Sequence, residues 1–215
     1  MDLALFDLDH TLLNGDSDHG WGIFLASIGV LDAKEQEEKQ DYYYQQYLQG
    51  KLDIQEFLDF QLYPLSQYPM EQLHEWRAQY VERDIKPMLE AGKPELVEQH
   101  KRNGDKLVII TATNDFVTRP IADLLGVETL IATALEIEDG RYTGKTSGTP
   151  CFQDGKITKL HQWLNETGES FAQTYFYSDS KNDLPLLEMV DHPIAVTPDA
   201  QLRAHAEKFH WKIID

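Results

Sequence analysis

The chain has a single cysteine, Cys151, so no internal disulfide is available, which suits a reducing compartment. No apolar run approaches the ~18 residues of a membrane-spanning helix, and no basic-then-apolar leader opens the sequence. These lacks predict a cytoplasmic protein without a membrane partner. Positive charge is scarce too: 19 Lys and Arg stand against 37 Asp and Glu, a net charge of −18. Nucleic-acid binding leans on basic patches, so that class of partner is excluded. An anionic membrane would repel such a surface. The eight histidines are scattered, so no Cys/His cluster has zinc spacing. No repeat or low-complexity tract is present. A phosphate-bearing ligand would need a local site that overcomes the field: a metal, backbone N–H groups or a well-placed lysine.

What is present begins with an apolar run that ends in two acids, Ala4-Leu5-Phe6-Asp7-Leu8-Asp9-His10-Thr11-Leu12. Residues two apart on a strand share a face. Two carboxylates so placed repel unless a cation lies between them or one is protonated. The pair therefore reads as a metal site, with an acidic turn or helix cap as the plainer alternative.

From Asn14 to about Ile85 the pattern turns helical. Apolar residues recur at helical spacing in Trp21, Phe24, Leu25 and Ile28, in Ile54, Phe57, Leu58 and Leu62, and in Leu73, Trp76 and Tyr80. Breaks at Gly29, Gly50, Pro64 and Pro69 predict four helices, enough for a small bundle. This stretch holds 14 Asp and Glu against 5 Lys and Arg, half of the chain's net charge. The cluster Tyr42-Tyr43-Tyr44-Gln45-Gln46-Tyr47 reads as bundle packing and surface.

After Pro87 strands and helices alternate. Strands are expected at 2–6, 106–110, 174–177, 193–196 and 211–214, with a hairpin over 131–143 turning at Asp139-Gly140. Helices are expected near 94–103, 116–125, 155–164, 184–190 and 199–208. This order predicts an α/β fold: a doubly wound, mainly parallel sheet with helices on both faces. Residues 1–13 and 86–215 would form the core, and residues 14–85 a helical-bundle cap inserted after the first strand.

Ligands of such sheets bind beyond the carboxyl ends of the strands. Those ends carry Asp7 and Asp9, then Thr111-Ala112-Thr113-Asn114, then Asp179-Ser180-Lys181-Asn182-Asp183. Clustered carboxylates around an open position suit a hard cation such as Mg²⁺, and hydroxyls with a nearby lysine point to phosphoryl chemistry.

These residues resemble the haloacid dehalogenase superfamily of phosphohydrolases. Asp7-Leu8-Asp9-His10-Thr11 is similar to its DxDxT signature, Thr111 to its second motif, Lys156 to its third, and Asp179-Ser180-Lys181-Asn182-Asp183 to its acidic fourth. The four occur in the family's order. The insert is similar to the cap of the phosphoserine-phosphatase-like branch. The phrasing of 110–114 and 177–185 is close to a bacterial group often labelled histidinol-phosphatase. The resemblance implies a Mg²⁺-dependent phosphatase acting on a small-molecule phosphate monoester. Asp7 would be the nucleophile and Asp9 the general acid and base. Asp7, the Asp9 carbonyl and Asp179 would hold the metal, with Asp183 binding through water or orienting Lys156. Thr111, the N–H groups of Ala112 and Thr113, Lys156 and Asn182 would meet the phosphate. His10 stands where the family often has Gly, a place that serves a turn. Lys145, Lys159 and Lys181 are the rivals of Lys156.

Two acids early in the insert, Asp16 and Asp18, are candidates for the substrate's non-phosphate end; Asp16 aligns best with the branch's amino-group contact. A phosphoserine-like substrate also needs a cation for its carboxylate, and the insert offers only Arg77 and Arg83. The acidic insert fits a cationic amino-alcohol phosphate better. Phosphoserine hydrolysis, phosphoryl transfer to an alcohol, a receiver-type signalling domain and an inactive binding protein on the same fold are the competing readings.

Overall fold

The structure, a computed structural model, describes residues 1–49 and 51–215 and, of Leu48, the backbone only. The chain opens on β1 (Leu3–Phe6), fully buried, with Ala4 and Phe6 on one face of the sheet and Leu3 and Leu5 on the other. Four helices follow: α1 (Ser17–Ser27), α2 (Ala33–Leu48), α3 (Ile54–Gln67) and α4 (Met70–Tyr80). Asp16, Asp32 and Asp53 cap the first three, each accepting hydrogen bonds from N–H groups of the first turn. A π-helical turn over Val81–Ile85 leads into α5 (Lys86–Glu90), which brings the chain back beside its departure point: Asn14 donates its N–H to the Met88 carbonyl at 2.9 Å.

The remainder is α6 (Glu95–Asn103), β2 (Lys106–Asn114), α7 (Asp115–Leu124), β3 (Thr129–Thr133), β4 (Leu135–Glu138), β5 (Arg141–Thr146), α8 (Asp154–Thr167), β6 (Thr174–Ser178), α9 (Leu184–Leu187), β7 (His192–Val196), α10 (Ala200–Phe209) and β8 (Lys212–Ile214). Six strands form one parallel sheet in the order β3-β2-β1-β6-β7-β8, and β4 with β5 forms a separate antiparallel pair. Two apolar clusters cover the two faces: Phe6, Ile109 and Tyr177 face one, Leu5, Ile110 and Phe176 the other. The predicted doubly wound sheet is thus present. Its winding reverses between β1 and β6, and the crevice beyond their carboxyl ends is where such folds place ligands.

Three expectations need correction. The predicted hairpin over 131–143 is two things: its first residues belong to β3 in the main sheet, and only β4–β5 form the hairpin. Asp139 and Gly140 do make its turn, both at positive φ (48° and 73°). Pro64 does not end a helix; it lies buried inside α3, where Leu58, Leu62 and Leu65 anchor the same helix to the core. The helix expected over 184–190 ends at Leu187. The break expected at Gly50 lies outside the described residues.

Candidate active site

β1 carries Asp7 to the crevice, and pairing with β6 extends to that acid: its N–H donates to the Tyr177 carbonyl at 2.9 Å. Asp7 is buried, and its Oδ1 accepts from Lys156 Nζ at 2.8 Å. The same ammonium donates to Asp183 Oδ2 at 2.7 Å, and Ser178 Oγ donates to that oxygen at 2.7 Å. Burial raises the Asp7 pKa to about 6 against the pull of Lys156. Burial opposes the Lys156 charge, but the Asp183 and Asp7 carboxylates outweigh it and hold the ammonium above the usual lysine value. Gly155 permits this placement, because a Cβ there would collide with the Pro150 carbonyl. Of the rival lysines, Lys145 and Lys159 lie outside the cavity lining, and Lys181 lines it without bonding either acid.

Asp9 accepts from the Ser17 N–H at 2.6 Å and from the Thr113 hydroxyl at 2.8 Å. Burial, then the charge of Asp16, raises its pKa to about 8, which favours the protonated carboxyl. Asp179 accepts from the Thr11 hydroxyl at 3.2 Å, and burial with the Asp7 and Asp183 charges raises it to about 8. Thr111 is buried, and its hydroxyl accepts from the Thr113 N–H at 3.2 Å. Thr113 commits its own hydroxyl to Asp9. The Ala112 carbonyl is turned to the Thr133 hydroxyl at 2.7 Å. Asn182 lines the cavity and accepts from the Gln153 amide at 3.0 Å. His10 adopts φ 56°, a left-handed turn conformation that His tolerates better than most residues.

These groups line a cavity of about 1270 Å³ between the strand ends and the insert. Asp16 and Asp18 both line it, in different states. The Asp16 carboxylate is occupied as the α1 cap, accepting from the Asp18 and His19 N–H groups at 2.9 and 2.8 Å. Asp18 accepts from the Gln61 amide at 2.8 Å and the Asn114 amide at 3.3 Å. Gln40 donates to the Gln61 carbonyl oxygen at 3.0 Å, which turns the Gln61 NH₂ toward Asp18. Burial and the charge of Asp16 raise the Asp18 pKa to about 7. Arg77 is spent on the Phe116 carbonyl and ring, and Arg83 on Asp84 and Ser27; among the described residues no arginine lines the cavity.

Sequence reasoning missed three contributors. Gln61 and Asn114 were legible only as a helix polar residue and a strand-end residue. Tyr47, read with its neighbours as packing and surface, lines the cavity and meets the Ser180 hydroxyl at 2.8 Å.

The donor set suits a hard cation. Lys156 bonds Asp7 and Asp183, while Asp179 beside them bonds the Thr11 hydroxyl instead; a divalent ion would offset the like charges that crowd it. Among the described residues no group of three or more His, Cys, Asp or Glu side chains is placed to hold a metal ion by itself.

Comparison with known proteins gives the family. Residues 4–188 match the model of the haloacid dehalogenase-like hydrolases. The chain belongs to that family. It is 46% identical to a histidinol-phosphatase of Neisseria meningitidis serogroup C (strain 8013), over 99% of this chain and 98% of that protein. A crystal structure of a protein of unknown function from Bordetella pertussis Tohama I superposes with a TM-score of 0.94 at 44% identity, covering 100% of this chain and 98% of that one. A phosphoserine phosphatase carrying an analogue of its phospho-aspartyl intermediate shares the fold at a TM-score of 0.69 and 20% identity, over 99% and 92% of the two chains. This haloacid dehalogenase-like protein is a phosphatase. The receiver-domain and binding-protein readings fall away. No helix among the described residues is long and apolar enough to cross a membrane.

Proposed function

We propose that this phosphatase is a Mg²⁺-dependent phosphomonoesterase that works through an aspartyl-phosphate, with a small amino-alcohol phosphate of the histidinol phosphate kind as substrate. One observation carries the substrate reading: Asp18 faces an acidic cavity, bonded by the Gln61 and Asn114 amides and by no lysine or arginine among the described residues. A cationic group on the substrate would complete it. A carboxylate on the substrate would find no arginine among the described lining residues. The name of the Neisseria relative supports the same choice.

In this reading the Asp7 carboxylate attacks phosphorus and the P–O ester bond breaks. The Asp9 carboxyl gives its proton to the departing alkoxide. Asp9, now ionised, takes a proton from water, whose oxygen attacks the aspartyl-phosphate and frees both phosphate and Asp7. Lys156 offsets charge on the transferring group, and the Thr111 hydroxyl with the Ala112 N–H receives its oxygens, the Thr113 N–H joining them when it leaves the Thr111 hydroxyl. Asn182 borders the same space. Asp7, Asp179 and the Asp9 carbonyl would hold Mg²⁺, whose charge reduces repulsion between nucleophile and phosphate; Asp183 orients Lys156. Residues 14–85 act as a cap that excludes water during the first step.

Phosphate release from histidinol phosphate and from phosphoserine, measured side by side with Mg²⁺, tests the substrate. The expected result is a higher kcat/KM for histidinol phosphate. A clear preference for phosphoserine would sink the cationic-pocket reading. Adding an acceptor alcohol and looking for its phosphate ester separates hydrolysis from transfer.

A further inference from the structure

Among the described residues, Tyr47 is where α2 hydrogen-bonds to the core. Elsewhere α2 packs within the insert: Gln40 bonds Gln61 of α3, and Tyr43 lies against Phe57 and Phe60 of α3. Tyr47 instead extends its hydroxyl to Ser180 Oγ, 2.8 Å away across the cavity. Burial pushes that hydroxyl up to about 12, so it is neutral over any working pH and serves only as a hydrogen-bonding group.

Ser180 is well placed to pass on such a contact. It opens the short 3₁₀ turn Lys181–Asp183, and its Oγ accepts from the Asn182 N–H at 3.2 Å. Its own N–H donates to Ser178 Oγ at 3.1 Å. Ser178 Oγ in turn donates to Asp183, which holds Lys156 against Asp7. A continuous set of hydrogen bonds thus runs from the insert to the lysine beside the nucleophile. On the other side, Gln153 secures Asn182 and Asp199 accepts from the Lys181 N–H at 2.7 Å. The Asp179–Asp183 loop is therefore tethered from within the core, and Tyr47 adds a tether that exists only while the insert covers the cavity.

We propose that Tyr47 is a positioning residue for the phosphatase reaction: its hydroxyl, through Ser180, sets the Asp179–Asp183 loop when the insert lies over the core. The proposal rests on phosphatase activity and not on the substrate suggested above. It is therefore tested with p-nitrophenyl phosphate. A protein that ignores histidinol phosphate yet hydrolyses p-nitrophenyl phosphate overturns the substrate reading and leaves this test intact.

The proteins to compare are wild type, Tyr47→Phe, Ser180→Ala and the double variant, each with Mg²⁺. Tyr47→Phe keeps the ring and removes one hydrogen bond, so kcat should fall roughly 5–10-fold, with KM within about 2-fold and an unchanged melting curve. In the Ser180→Ala background the same substitution should lower kcat by less than about 2-fold, because the partner is already gone. An unchanged kcat in Tyr47→Phe overturns the proposal. So does an equal loss in both backgrounds, a rise in KM with kcat unaltered, or a loss of rate matched by a loss of folded protein.

Discussion

Lys156 serves two buried carboxylates at once, and its removal would strand both. Replacing it with Met keeps the aliphatic stem but leaves Asp7 and Asp183 without a countercharge. Breaking a buried pair in this way costs about 3–5 kcal/mol. Urea unfolding of Lys156→Met should show a loss of that order near neutral pH. Asp18 gives a second prediction, of opposite sign. Folded, it keeps its proton up to about pH 7; unfolded, it gives it up near ~4. Between those values the unfolded state binds fewer protons, so the stability this group contributes is present below ~4 and is lost as pH rises through about 7. Asp18→Asn cannot lose it. Urea midpoints near pH 5 and pH 8 should show the variant gaining on wild type as pH rises. If Asp18 also meets the substrate's cation, the same variant should raise KM for a cationic phosphate while sparing p-nitrophenyl phosphate.

At the level of elements, α10 does more than cover the sheet. Its cap, Asp199, accepts from the Gln201 and Leu202 N–H groups at 2.8 Å with one oxygen and from the Lys181 N–H with the other. Asp199→Ala should cost about 1 kcal/mol through the lost cap. It should also lower kcat, because the loop after β6 loses a tether; thermal melts and steady-state rates read the two effects separately. The elements that line the crevice were legible because apolar strands end in acids and hydroxyls, in the order of the family's motifs. Asp7, Asp9, Thr111, Asp179 and Asp183 were legible as what the ends of the predicted strands carry, and Lys156 through the family resemblance; the structure gathers all six in one crevice. The boundary between β3 and β4 was not legible. Only Ala134 separates them, and neither Gly nor Pro marks where the chain leaves the sheet. Nor was the asymmetry within the tyrosine cluster: Tyr43 faces the insert's interior and Tyr47 the core, a difference set by what α2 packs on rather than by residue type.

For the whole molecule, charge is the dominant sequence property. A net −18 on 215 residues makes the compact state repel itself. Raising NaCl from near zero to about 0.5 M shortens the screening length to a few ångströms, so the melting temperature should rise. A fall would mean that attractive surface pairs, such as Lys86–Glu82 and Lys39–Glu35, outweigh the repulsion. Half of that charge lies in the insert, which the structure sets opposite the acids of the strand ends. The helices would thus tend to be pushed from the core unless a cation or a cationic substrate stands between them.

The central place of β1 has a consequence for how the protein is made. Its neighbours are β2 and β6, Leu3 pairing with Lys106 on one side and Thr174 on the other. During synthesis the strand bearing Asp7 emerges long before either partner, and both of its edges wait while the insert is translated. Long-range pairing of this kind carries a large loop-closure cost and slows folding. The insert waits as well, because α3 packs on β5, which is made after it. A chain cut anywhere before Thr174 would leave β1 with an open edge, a template for aggregation rather than a smaller enzyme. Catalytic competence in this protein arrives late and all at once.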